Sequence, residues 1–184
     1  LLPEYRLAPE HPYPAPVEDA RKVYAWARRT WPASRIVISG DSAGGGLAMA
    51  TLMALRDDGD TLPAAGVAIS PVTDMAGEGA SCDTCAATDP LISRAMIVDI
   101  GKVYIGDRDP HQTPLASPLW GRHHGLPPLF FAASRSEVLR DDSVRFVEKV
   151  RAAGGSAELS LPAADLIHIW TIFPFLDDAR ASLE

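Results

Sequence analysis

The chain has 184 residues, 47% of them apolar, and a formal charge of −7, enough for one domain with a sizeable core. The acidic balance, with lysines and arginines scattered or at most paired as in Arg28-Arg29, excludes the basic stripe that a nucleic-acid partner needs. No apolar run approaches the roughly 18 residues of a membrane span.

In chain order, LLPEYR at 1–6 reads as a strand entered midway. It has neither an initiator Met nor a leader pattern, so the chain is expected to be a piece of a longer fold. Prolines 9, 12, 14 and 16 hold the next stretch extended, with Arg6 and Glu10 expected as a structural ion pair. Residues 16–29 open on Pro16 and place Val17, Ala20, Val23, Tyr24 and Ala27 on one helical face. RIVIS at 35–39 is a strand, GDSAGGG at 40–46 a turn, and the apolar LAMATLMAL at 47–55 the helix that follows. GVAIS at 66–70 is the next strand. The long stretch 74–127 carries a helix at 91–105 among Pro- and Gly-punctuated loop, and an insertion of that length is expected to form a wall of a site. PLFFAA at 128–133 and AELSL at 157–161 are further strands, separated by a helix at 141–153 whose Val144, Val147 and Val150 share a face and which stops at Gly154-Gly155. Strands alternating with helices predict an α/β domain, a mostly parallel sheet with helices on both faces.

Cys82 and Cys85 form a C-x-x-C with neither a second ligand pair nor the strand-then-helix setting of a redox motif, so no metal or cofactor is expected and both are read as ordinary thiols. The low cysteine count suits a reducing, cytoplasmic compartment.

Chemistry concentrates at Gly40, Asp41, Ser42, Ala43 and Gly44. In a strand-to-helix elbow of the form G-x-S-x-G the serine takes a strained turn conformation, and glycines two residues to either side relieve the crowding. The turn lifts the hydroxyl to the C-terminal edge of the sheet, and the N–H of Ala43 becomes an oxyanion donor. A P-loop would need a Lys after the glycines, and none is there. GDSAGG also resembles the GDSGG of trypsin-like proteases, but their His and Asp precede the Ser and only His11 lies upstream here. A serine nucleophile needs a base. His123 and His124 precede the strand at 128–133 and fall at the wrong edge of the sheet; His168 follows the last strand and falls on the edge of Ser42. The acid should come from SRSEVLRDDS at 134–143. Asp141 and Asp142 sit where a helix begins and have capping or dipole compensation as their ordinary work. Glu137 is therefore chosen, with Asp141 as the fallback.

YRLAPEHPYPAPVEDARKVYAW at 5–26, GDSAGGG at 40–46, SPVTD at 70–74, YIGDRDPHQTPLASP at 104–118, GLPPLF at 125–130 and EVLRDDS at 137–143 together resemble the hormone-sensitive-lipase-like branch of the α/β-hydrolases, of which this chain matches the C-terminal portion. The resemblance implies a carboxylesterase acting on a small-molecule ester of short or medium acyl chain, with Ser42 as nucleophile, His168 as base and the order Ser, acid, His. Most members of that branch carry Asp in the motif where Glu137 stands. Their H-G-G-G loop, which supplies further oxyanion donors, lies upstream of YRLAPE and is absent from this chain. In the implied fold another strand lies between 1–6 and 35–39, holding them about two strand spacings, ~10 Å, apart. The alternatives are a ligand-binding relative without the chemistry, or a lactonase or peptidase of the same fold; oligomeric state is left open.

Overall fold

Alternating strands and helices build a four-stranded parallel sheet in the computed structural model, which describes residues 1–183. The strands β1 (Val37–Asp41), β2 (Ala65–Ile69), β3 (Leu129–Ala132) and β4 (Ala157–Ser160) lie side by side in sequence order. Helix α1 (Ala15–Ala27) precedes β1 and α2 (Ala43–Asp57) connects β1 to β2. Helices α3 (Ser81–Thr84) and α4 (Arg94–Ile105) belong to the long β2–β3 connection. Helix α5 (Arg140–Ala152) joins β3 to β4, and α6 (Asp177–Leu183) closes the described chain.

Period-two alternation on β3 shows how the layers form. Leu129 and Phe131 pack with Met49 and Leu52 of α2 and with Phe146 and Val150 of α5, whereas Phe130 and Ala132 turn to the other face and meet Leu166, Trp170 and Ala179. Helices thus cover both faces of β3, as an α/β sheet requires. The α2 positions facing the sheet are almost sealed, with Met49 and Leu52 at 0% exposure. Burying a side chain of that size is worth about 1.5–3 kcal/mol.

Several expectations need correction. Residues 1–6 form no strand: β1 is an edge of the sheet, and a groove of about 530 Å³ lined by Leu1, Leu2, Tyr5, Val37 and Ile38 runs beside it. Without a neighbouring ladder, extended backbone is not a strand. Arg6 pairs with Asp19 and Glu18 of α1 and not with Glu10, because its guanidinium reaches back over the first turns of that helix. The 35–39 strand starts at Val37, since residues 33–35 make a 3-10 turn. The helix expected from residue 91 starts at Arg94, where the Ser93 hydroxyl caps it by accepting from the Met96 N–H. Asp141 and Asp142 open α5 without capping it. Their carboxylates reach across to the β2–β3 connection: Asp141 accepts from the Ser81 N–H at 2.9 Å, Asp142 from the Thr73 and Asp74 N–H groups at 2.6 and 2.8 Å.

Candidate active site

β1 ends at the exposed Asp41, and the chain then turns sharply through Ser42, whose φ of 53° and ψ of −123° lie outside the helical and strand regions. Such a conformation at a residue with a Cβ costs on the order of 1–3 kcal/mol and persists only where neighbours impose it. They are visible here. The Ser42 N–H donates to the Ile69 carbonyl at 2.9 Å, and the Ser42 carbonyl accepts from Gly46 and Val72 at 3.2 and 3.0 Å. The turn is thereby pinned to both α2 and the loop after β2.

The glycines of the elbow do different work from that expected of them. A Cβ at Gly40 would collide with the Gly44 carbonyl, whereas one at Gly44 would meet only the Tyr5 hydroxyl at 4.0 Å. Gly45 and Gly46 are the second tight pair, since Cβ atoms there would strike Pro71 and the Val72 carbonyl. The space that matters lies between α2 and the loop after β2, and Gly44 is open.

His168 reaches Ser42 from beyond β4. Its Nε2 stands 2.9 Å from Ser42 Oγ, and its Nδ1 3.2 Å from Glu137 Oε2. The partners fix the tautomer that fits, with Nδ1–H donating to the carboxylate and Nε2 accepting from the hydroxyl. His168 is 3% exposed and Glu137 1%. In that low-dielectric setting the carboxylate's attraction for an imidazolium is strong. Glu137 is itself held by the Ser134 N–H, which donates to its other oxygen, Oε1, at 3.2 Å.

Side chains the sequence reading passed over keep the base in place. The Ser134 hydroxyl donates to the Leu166 carbonyl, and the Ile169 N–H donates to the Ser70 hydroxyl at 3.2 Å. Ile169 has a left-handed φ of 50° and Ser70 one of 45°, so His168 is delivered by a kinked segment clamped at both ends. Leu166 and Trp170 anchor that segment in the apolar layer under β3. A small polar residue within two positions of a strand's end, true of Ser70 and Ser134 alike, was the available signal.

Ala43 is the first residue of α2, where an N–H has no intrahelical acceptor. No acceptor among the described residues takes it. Beside Ala43 opens a largely apolar cavity of about 440 Å³, lined also by Val72, Met75, Ile100, Val103 and Tyr104. His11, His111, His123 and His124 take no part: His111 is bound to Asp109 and Glu78, and His123 is buried against Phe146. Cys82 and Cys85 are buried free thiols in an apolar cluster with Ile97, Val138 and Leu139, and burial pushes the Cys82 thiol up from its ordinary range. Among the described residues no group of three or more His, Cys, Asp or Glu side chains is placed to hold a metal ion. Among the described residues no helix is long and apolar enough to cross a membrane.

A family model for the alpha/beta hydrolase fold matches residues 1–171. An acetyl-hydrolase of Streptomyces hygroscopicus is 41% identical over 186 residues, covering 100% of this chain and 62% of that protein. A carboxylesterase of Mycobacterium tuberculosis is 35% identical over 188 residues, covering 97% of this chain and 58% of that protein. The crystal structure of an esterase from the bacterial hormone-sensitive lipase family superposes with a TM-score of 0.94 at 43% identity, over 98% of this chain and 61% of that one. The chain spans about 60% of the length of the curated relatives it matches.

Proposed function

The chain belongs to the α/β-hydrolase fold family, in its hormone-sensitive-lipase-like branch, and from that premise we propose that the protein carrying it is a serine carboxylesterase. The observation that carries the reading is the unbroken relay from Ser42 Oγ through His168 to Glu137, with separations of 2.9 and 3.2 Å. A ligand-binding relative has no use for a strained serine facing a buried base.

In this reading the Ser42 hydroxyl gives its proton to His168 Nε2 as Oγ attacks the ester carbonyl carbon. The π pair moves onto the carbonyl oxygen, which faces the Ala43 N–H; one such donor is worth about 10²–10³ in turnover. Collapse expels the alcohol, protonated by His168, and leaves an acyl group on Ser42. Water then attacks that acyl carbon, giving its proton to the same Nε2, and the carboxylic acid departs as Ser42 regains its hydrogen. Glu137 keeps Nδ1–H oriented and stabilises the imidazolium of both halves.

The apolar cavity beside Ala43 supports a short or medium acyl chain as the group transferred to Ser42. Met75, Ile100, Val103 and Tyr104, all from residues 74–127, line it. That supports the reading of this connection as a wall of the site. The direct test treats the protein carrying this chain with a fluorophosphonate and maps the adduct. Modification is expected at Ser42, with p-nitrophenyl ester hydrolysis lost in step; an adduct elsewhere, or unimpaired hydrolysis by Ser42→Ala, overturns the assignment.

A further inference from the structure

Glu137 sits on a tight turn, residues 134–139, between β3 and α5, and a carboxylate on a short turn is only as well placed as the turn's backbone. Arg140, which opens α5, donates its N–H to the Glu137 carbonyl at 3.2 Å and its guanidinium to the Arg135 carbonyl at 3.3 Å, and a second segment, distant in sequence, holds the same backbone. The Asp89 carboxylate accepts from the Val138 N–H at 2.8 Å through Oδ2. The Ser81 hydroxyl donates to the Val138 carbonyl at 2.6 Å and the Thr88 hydroxyl to the Ser136 carbonyl at 2.8 Å. Cys85 joins them, its thiol 3.5 Å from the Arg135 carbonyl. Residues 81–89 thus form a bracket around the acid, with partners on the residues immediately before and after Glu137.

We propose that Asp89 is a positioning residue that holds Glu137 in line with His168 by fixing the 134–139 turn, an inference that rests on reading Ser42, His168 and Glu137 as the reacting set. Asp89 is suited to this because it is 8% exposed and both its oxygens are used. While Oδ2 takes the Val138 N–H, Oδ1 accepts from Leu91 and Ile92 at 2.9 and 3.0 Å, at the approach to α4. One carboxylate therefore ties the acid's turn to the helix whose Ile100, Val103 and Tyr104 face the cavity beside Ala43. Hydrogen bonds from backbone N–H groups to an ionised carboxylate are the strong, geometrically fixed kind. An Asn there has a single oxygen, so its NH2 must face either the Val138 N–H or the Leu91 and Ile92 N–H groups, and the cheapest relief of that clash is for the turn to move. The C-x-x-C acquires a structural place in the same bracket: both thiols face the turn, Cys82 with its sulfur 4.0 Å from the Val138 carbonyl.

The test is Asp89→Asn in the protein carrying this chain, read two ways. Turnover of p-nitrophenyl butyrate is expected to fall in kcat by on the order of 10²-fold with KM within about twofold, the size of effect that a displaced catalytic group produces. The Nδ1 proton of His168, followed by NMR, is expected to move upfield, because the carboxylate that accepts it has moved off. Ser81→Ala removes another arm of the bracket and is expected to shift both readouts in the same direction by less, so the idea stays testable if Asp89→Asn folds poorly. Tyr24→Phe is the control. It removes the half-buried hydrogen bond from Tyr24 to the Thr61 carbonyl and should lower the melting temperature while leaving kcat and the His168 resonance alone. Asp89→Asn and Ser81→Ala variants that behave like Tyr24→Phe overturn the proposal. A wild-type protein that hydrolyses no ester while Asp89→Asn still shifts His168 sinks the esterase reading and keeps the positioning role; an active esterase indifferent to Asp89→Asn does the reverse.

Discussion

Strands β1 and β3 are built differently, and the proposed reacting groups are divided between the turns that follow them. β3 is closed on both faces, with Phe131 at 0% exposure, and the turn that follows it holds Glu137. β1 is an edge strand with Val37 half exposed, yet it leads into Ser42. The acid is therefore positioned by burial in an apolar layer and by its bracket. The serine is positioned by hydrogen bonds to Ile69, Gly46 and Val72, and by close approach of glycines to Pro71 and Val72. Precision at an exposed edge comes from the backbone of the turn, with little help from the strand's side chains.

The largest expected effect concerns which acid serves. Glu137→Gln should lower kcat by on the order of 10⁴-fold, close to but short of the loss in Ser42→Ala or His168→Ala. Asp141→Asn should leave kcat near wild type, because its carboxylate is occupied by the Ser81 N–H and by Arg140. Steady-state kinetics with melting temperatures recorded in parallel decide it: an inactive but stable Asp141→Asn beside an active Glu137→Gln reverses the assignment.

Next comes the contrast between the two strands themselves. Phe131→Ala opens a cavity in the layer between β3, α2 and α5 and should cost about 3–5 kcal/mol. Among the described residues Val37 touches little, so in this chain Val37→Ala should stay within about 0.5 kcal/mol. Chemical denaturation of both variants checks the pair, and equal losses would show that β1 is packed as firmly as β3.

Most of this architecture was legible because period and punctuation are local. The short apolar run PLFFAA and the spacing of Val144, Val147 and Val150 each announce an element without reference to the rest of the chain. The choice of Ser42, Glu137 and His168 could be made from strand order, since an open parallel sheet gathers reacting groups at its C-terminal edge. What stayed hidden depends on distant partners. Nothing near Arg6 says that it will choose Asp19 and Glu18 over Glu10. The work of Asp141 and Asp142 was misread because a helix start explains an acid locally, while their acceptor roles lie some 60 to 69 residues upstream in Ser81 and Thr73. The strand expected at 1–6 failed for the same reason, since a strand is defined by its neighbour.

The last predicted effect follows from Asp142. Its carboxyl is sealed from water, Oδ2 takes the Thr73 and Asp74 N–H groups, and Oδ1 has no partner. Desolvation, reinforced by the nearby Asp74 carboxylate, outweighs the two backbone donors and pushes its pKa up to about 7 from an ordinary 3.8. Asp74 is less able to repel than it would be alone, because Arg145 pairs with it at 2.8 Å. The folded state therefore holds a proton that the unfolded chain releases between those two values. The stability linked to this proton is fully present below pH 3.8 and is lost as pH rises through 7. Buried His123 pulls the other way, because its pKa is held down to about 4 by burial and by Lys149 and Arg56, so it costs stability as the medium turns acidic. The wild-type curve mixes the two, and only a difference isolates the carboxyl. Subtracting the melting temperature of Asp142→Asn from that of wild type at a series of pH values should give a margin that widens in favour of wild type from about pH 8 down to about pH 5. A flat difference would mean that Asp142 keeps its proton, or its charge, throughout, and that the clamp between α5 and the loop after β2 is indifferent to pH.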